Sequence, residues 1–246
     1  MNLQTFGYAL QFLTRLPAPQ TAEFNPADLS RSAGWFAVVG ALIGAIVAAG
    51  FWAGYFVSPW LAALVALVLW VWVTGGLHID GLGDVADALG AAHRSPERFL
   101  EVLRDPHVGS FGVIAIVLQL IAKLVLLAQL PDGWATLAAL VLVPAWARWG
   151  TQVWSLYVPP LASGSGERFS WQINRPVIIV QGTTLALLSA WLAPGVLAAL
   201  IVIPLIVVFW RVRLGGITGD CLGASVEVTE TFLLLSIVVA ATIPSG

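Results

Sequence analysis

Residues 34–77 read GWFAVVGALIGAIVAAGFWAGYFVSPWLAALVALVLWVWVTGGL, with no charged side chain anywhere in the stretch. A bilayer-spanning helix needs about 20 apolar residues. This stretch holds two such runs, at 34–57 and 59–77, hinged at Ser58. Five more runs follow at about 111–130, 134–150, 177–193, 195–210 and 229–244. Ala193-Pro194-Gly195 reads as a tight turn between the fifth and sixth. Within lipid a backbone must bond to itself, so spans of this length are helices. The chain is 59% hydrophobic and only 10% charged, with a mean hydropathy of +0.91. Those values exclude a soluble domain. The expected fold is therefore an all-α polytopic membrane protein of about seven transmembrane helices. The single cysteine, Cys221, excludes a disulfide within the chain and a structural cysteine-based metal site. Residues 1–16 do not read as a cleavable leader, because Gln4, Gln11 and Arg15 interrupt the apolar core.

The arginines give the orientation. Arg15 and Arg31 precede the first run. Arg94, Arg98 and Arg104 lie between the second and third, and Arg148, Arg168 and Arg175 flank the loop between the fourth and fifth. Arg211 and Arg213 follow the sixth. The alternate connections, near Ser58, Asp132 and Pro194, contain no arginine or lysine. The positive-inside rule then puts the N-terminus and the long loops in the cytoplasm of a bacterial inner membrane and the C-terminus outside. The whole of 1–246 reads as one integral membrane catalytic domain. Residues 1–32 form an amphipathic or re-entrant piece, and 78–110 and 211–230 are site-forming segments at cytoplasmic helix ends.

Residues 76–87, Gly-Leu-His-Ile-Asp-Gly-Leu-Gly-Asp-Val-Ala-Asp, carry three aspartates, Asp80, Asp84 and Asp87. Spaced i, i+4 and i+7, they fall within roughly 60° of one another on a helix. Carboxylates beside a bilayer are costly, and a row of them repels itself unless a cation sits in it. Mg²⁺ prefers carboxylate oxygens and bridges them to phosphate. Residues 215–230 form a second acidic, glycine-rich segment holding Asp220 and Glu227, seven residues apart. Two such segments on one side suggest a shared two-metal diphosphate site. Arginine forks suit phosphate oxygens, which makes Arg94 and Arg104 candidate clamps. Lys123, the single lysine, lies about twelve residues into the third run, or roughly 18 Å of helix. At that depth it needs a carboxylate or a ligand phosphate as partner, and Arg148 is placed to join it. His78, beside the acidic run, is a candidate base.

Three motifs together resemble a known family. They are Gly-Gly-Leu-His-Ile-Asp-Gly-Leu-Gly-Asp-Val-Ala-Asp at 75–87, Arg104-Asp105 followed by Gly109 and Gly112, and Gly-Gly-Ile-Thr-Gly-Asp-Cys-Leu-Gly-Ala at 215–224. With the opening Phe12-Leu13-Thr14-Arg15-Leu16-Pro17, they are similar to cobalamin (5′-phosphate) synthase, also called adenosylcobinamide-GDP ribazoletransferase. Ala88 departs from the glycine expected after the third aspartate. The resemblance implies that α-ribazole or its 5′-phosphate is joined to adenosylcobinamide-GDP with release of GMP. It implies Mg²⁺ held by Asp80, Asp84, Asp87 and Asp220, with those four and His78 as the catalytic set. The substrate-binding set is then Arg15, Arg94, Arg104, Asp105, Lys123, Arg148 and Glu227. The ribazole 3′-hydroxyl attacks the phosphate attached to cobinamide, and His78 or a carboxylate accepts its proton. Expected partners are those substrates, the lipid bilayer and other corrinoid-pathway enzymes, with no nucleic acid.

Rival classes differ in kind. Membrane prenyltransferases also hold Mg²⁺-diphosphate between two aspartate-rich segments. Phosphatidyltransferases acting on CDP-activated lipids expect Ala-Arg after Asp-Gly, which Asp80-Gly81 lacks. An ion-coupled transporter would place acids near the bilayer midplane and broken helices in matching halves.

Overall fold

Asn2 opens the first helix by capping it. Its side chain accepts from Thr5 N at 2.9 Å, and the Thr5 hydroxyl returns the contact, so two helix-end donors are satisfied at once. The computed structural model describes residues 2–18, 30–92, 95–163, 167 and 174–242. Its helices are α1 (Leu3–Leu13), α2 (Phe36–Tyr55), α3 (Pro59–Thr74), α4 (Leu77–Ala92), α5 (Pro96–Leu103), α6 (Ser110–Ala128), α7 (Trp134–Tyr157), α8 (Arg175–Leu192), α9 (Ala199–Arg213) and α10 (Gly219–Thr242). Short 3₁₀ turns at Ala33–Trp35 and Pro194–Ala198 lead into α2 and α9. The expected tight turn at 193–195 thus includes an extra 3₁₀ turn before α9.

Boundaries follow local chemistry. Ser58 caps α3 through Leu61 N at 3.1 Å, with Pro59 in the first helical position. Gly75 ends α3 with φ of 66°, a left-handed cap that glycine adopts without strain. The chain then turns through 85° into α4. The expected span at 59–77 is therefore cut at Thr74.

Among the described residues five helices are long and apolar enough to cross a membrane, or six if α3 and α4 count as one broken span. This agrees with the expected polytopic all-α fold, for which the runs suggested about seven spans. The remaining predicted run is present as α7, but it is the polar centre of the bundle, with Arg148, Thr151, Gln152 and Ser155 all buried. Helix α2 packs directly on it. A Cβ at Gly40 would lie 2.4 Å from Pro144 O, and one at Gly44 2.4 Å from Leu140 O. Only glycines four residues apart let the two backbones approach so closely, as small-residue stripes do in membranes.

Helix α10 is the largest departure from the sequence reading. Residues 219–242 form one continuous helix that starts ten residues before the span expected at 229–244, so Asp220, Glu227 and Glu230 all lie on it. Both carboxylates find buried partners there, which lets the helix carry them inward. At its start, Cys221 N donates to the Thr218 hydroxyl at 3.3 Å. The preceding residues are pinned to the chain leaving α7 by a bridge between Pro160 and Ile217. Helix α1 docks on the N-terminal end of α2: Phe6 meets Trp35 edge-on at 5.3 Å and Phe12 stacks on Phe36 at 6.0 Å.

Candidate active site

The two acidic segments meet through glycine. Helices α4 and α10 cross where a Cβ on Gly81 would lie 3.0 Å from Asp220 O and one on Gly223 3.4 Å from His78 Cα. The crossing brings Asp80, Asp84 and Asp220 to one end of the molecule, and Asp84 stands in the field of Asp80, Asp220 and Asp87. Asp80 is exposed, while Asp84 and Asp220 are half-buried. Three like charges held this close call for a counter-ion.

Asp87 has a separate task. Its two oxygens accept Gly109 N at 2.7 Å and Gly112 N at 2.8 Å, which clamps the free donors at the start of α6. A Cβ on either glycine would lie 2.3 Å from an Asp87 oxygen, so both glycines are needed for the approach.

A metal's fit can be judged from the donors. Among the described residues no three His, Cys, Asp or Glu side chains stand close enough to enclose an ion by themselves. Mg²⁺ asks for less, since it is usually held by one or two carboxylates and completed by water and substrate phosphate. One or two of Asp80, Asp84 and Asp220 supply the donor chemistry that such a partial site asks for.

Behind the acids runs a buried ionic network. Lys123 is 2% exposed, with its Nζ 2.7 Å from Glu227 and 2.5 Å from Glu230, above the Trp70 ring. Arg148, fully buried, pairs with the other oxygen of Glu230. Gln119 and Trp70 donate to Glu227 and Glu230 respectively. Two cations face two anions, so the cluster can be neutral, as burial demands. Of the two partners the sequence allows Lys123, the fold supplies the carboxylate. Lys123, Arg148 and Glu227, expected to bind substrate, are thus engaged with one another. Glu230 was absent from the expected set. A lysine and an arginine deep in apolar helices both need acids, and Glu227 and Glu230, three apart on one helix, were the signal.

The second Arg148 nitrogen lies 3.3 Å from His78 Nδ1. A guanidinium only donates. The Nδ1 of His78 therefore accepts, and its proton sits on Nε2. His78 lines a cavity of about 130 Å³ together with Phe12, Phe36, Thr151 and Asp220. A histidine held this way carries its proton on Nε2; the sequence reading made it a candidate base.

The remaining expected residues disperse. Arg15 is exposed beside the α3–α4 bend, its backbone N donating to Val73 O at 2.7 Å and its guanidinium to Gly75 O at 3.4 Å. Arg104 caps the C-terminal end of α5 and is exposed. Asp105 is exposed too, and accepts from the His107 backbone at 3.0 Å and meets its ring at 2.6 Å. Those contacts, the backbone one first, hold its carboxyl below the usual carboxylate range. Arg94 lies outside the described residues.

The profile of the cobalamin-5-phosphate synthase family matches residues 5–238. The chain is 57% identical over 240 residues to the adenosylcobinamide-GDP ribazoletransferase of Laribacter hongkongensis, covering 96% of this chain and 97% of that protein. For the Thiobacillus denitrificans protein of the same name the identity is 52% over 227 residues, 92% of each chain. The Brevibacillus brevis protein, also of that name, is 34% identical over 246 residues, covering 96% and 98%. No solved structure matches the chain.

Proposed function

Because the chain belongs to the cobalamin-5-phosphate synthase family, we propose that it joins α-ribazole or its 5′-phosphate to adenosylcobinamide-GDP and releases GMP. The observation that carries this reading is the crossing of α4 and α10, which sets Asp80, Asp84 and Asp220 beside a cavity lined by aromatic rings, His78 and Thr151. Polar diphosphate chemistry and an amphipathic substrate both find support there. Family membership also sets aside the prenyl, CDP-alcohol and transporter alternatives.

Asp80, Asp84 and Asp220 would hold Mg²⁺. Bound there, Mg²⁺ supplies neutralisation of diphosphate oxygens and of the charge that grows on departing GMP. The chain's own groups do the rest. His78 donates from Nε2 to a phosphate oxygen in the cavity, and Arg148 fixes the ring. Asp220, the one carboxylate lining that cavity, takes the proton of the ribazole 3′-hydroxyl as its oxygen attacks the phosphorus next to cobinamide. Phe12 and Phe36 exclude water from the apolar side. Arg15, exposed beside the α3–α4 bend, offsets phosphate charge. One displacement without a covalent intermediate inverts the phosphorus. The acidic end faces the cytoplasm of the inner membrane, on the arginine asymmetry of the loops.

The test uses purified protein in nanodiscs with adenosylcobinamide-GDP and α-ribazole. GMP release should require both substrates and Mg²⁺ and should cease with EDTA. Undiminished release after chelation would sink the metal assignment. Retention of configuration at a chiral thiophosphate would sink the single displacement.

A further inference from the structure

A separate cavity of about 630 Å³ lies where the last turns of α2 meet the chain entering α7. It is remote from the acidic site. Phe36, at the start of α2, lines the His78 cavity, and the twenty residues of that helix put its other end about 30 Å away. All the residues that line the remote cavity are described ones. Trp52, Tyr55 and Phe56 recur at three- and four-residue spacing, so they share one side of α2. Trp134 closes the cavity from the start of α7, while Ala49, one turn back along α2, is too small to fill it. Trp52, Phe56 and Trp134 remain exposed, so the cavity opens toward the surrounding lipid.

Asp132 stands on the wall of this apolar, aromatic space. It is exposed and, among the described residues, makes no hydrogen bond or ion pair. The connections 56–58, 129–133 and 193–195 contain no lysine or arginine, and neither do residues 231–246. A carboxylate beside lipid calls for a cation, and the chain supplies none at this end. Tryptophan and tyrosine rings attract a cation as well. A ligand that answers both the acid and the apolar walls is an amphiphile with a positive head. In a bilayer that combination is a phospholipid with an amine headgroup. A primary ammonium can hydrogen-bond to the carboxylate, which a quaternary one cannot. The phosphate of such a lipid has a place too, at the first turn of α7. The first bond of that helix runs from Leu137 N to Gly133 O, which leaves the Trp134 and Ala135 amides without an acceptor inside it.

We infer that this cavity binds one phosphatidylethanolamine molecule from the leaflet opposite the acidic site. Its ammonium sits on Asp132 among the aromatic rings, and one acyl chain runs along α2 past Ala49. The inference stands apart from the proposed transfer reaction and uses none of its residues.

Native mass spectrometry of the full chain in detergent tests it, with phosphatidylethanolamine, phosphatidylcholine and phosphatidylglycerol of identical acyl chains as probes. The unaltered chain should hold one phosphatidylethanolamine at least about fivefold more tightly than either other lipid, the upper range for an exposed ion pair. In Asp132→Asn that preference should vanish. Ala49→Trp, which places a ring in the cavity, should lose the tightly bound lipid with Asp132 intact. Equal affinity for all three lipids overturns the site. A preference for phosphatidylglycerol overturns it in favour of an anion at the α7 amides. Phosphatidylcholine bound as tightly as phosphatidylethanolamine refutes the primary ammonium on Asp132. A phosphatidylethanolamine preference that survives both substitutions puts the lipid elsewhere on the molecule and also overturns the assignment.

Discussion

Asp84 and Asp220 carry the most specific residue-level consequence. Asp84→Asn and Asp220→Asn keep the shape of each side chain and remove a charge from a repelling group. GMP release should disappear in both while the melting temperature in detergent holds or rises, because like-charge repulsion is relieved. Loss of folding in both would make the acids structural. Asp87 should behave differently. Asp87→Asn keeps one acceptor for the α6 amides and loses the other charge-assisted bond, about 1.5–3 kcal/mol. It should retain measurable turnover and melt lower, the opposite pattern from Asp84. The acids around the site were legible in the sequence because a carboxylate next to lipid demands a cation. The role of Asp87 was not, because its partners are backbone amides 22 and 25 residues away that no side-chain pattern reveals. Which acids Lys123 and Arg148 would choose was equally hidden, since the pairing joins residues more than 80 positions apart.

Helices α6, α7 and α10 are tied by the buried network, and that tie is testable between elements. Lys123→Met leaves Glu227 and Glu230 with one cation and should cost about 3–5 kcal/mol of stability. The double variant Lys123→Met, Glu227→Gln restores charge balance and should recover most of the loss in a thermal melt. No recovery would show that packing of the lysine stem, and not charge, holds these helices. At the α2–α7 contact, Gly44→Leu forces a side chain into Leu140 and Val141 backbone atoms, and overpacking of this kind costs about 1–3 kcal/mol or more. The variant should show reduced yield of folded protein on size-exclusion chromatography, whereas Gly7→Ala, with open space around its Cβ, should not. Helix positions were readable from apolar runs and caps. The continuity of α10 was less so: the seven-residue spacing of Asp220 and Glu227 gave a helical face, but the apolar run opens only at 229, because the turns before it are rich in glycine and polar residues.

Across the whole molecule the charge asymmetry makes one prediction. Single cysteines placed at Arg98 and Arg211 should react with an impermeant thiol reagent only from the cytoplasmic side of inner-membrane vesicles, and one at Trp134 only from the other. Labelling of all three from one side would overturn the orientation. The bend at Gly75 has a further effect on the surrounding bilayer. Because the chain turns through 85° after sixteen residues, α3 reaches only about 24 Å along its axis, less than the ~30 Å hydrocarbon thickness of an ordinary membrane. Hydrophobic mismatch should then thin the lipid leaflet beside the acidic end, which would give the proposed amphipathic substrate a shallower barrier there. Turnover should accordingly be faster in short-chain than in long-chain nanodiscs, with the substrate drawn from the bilayer edge.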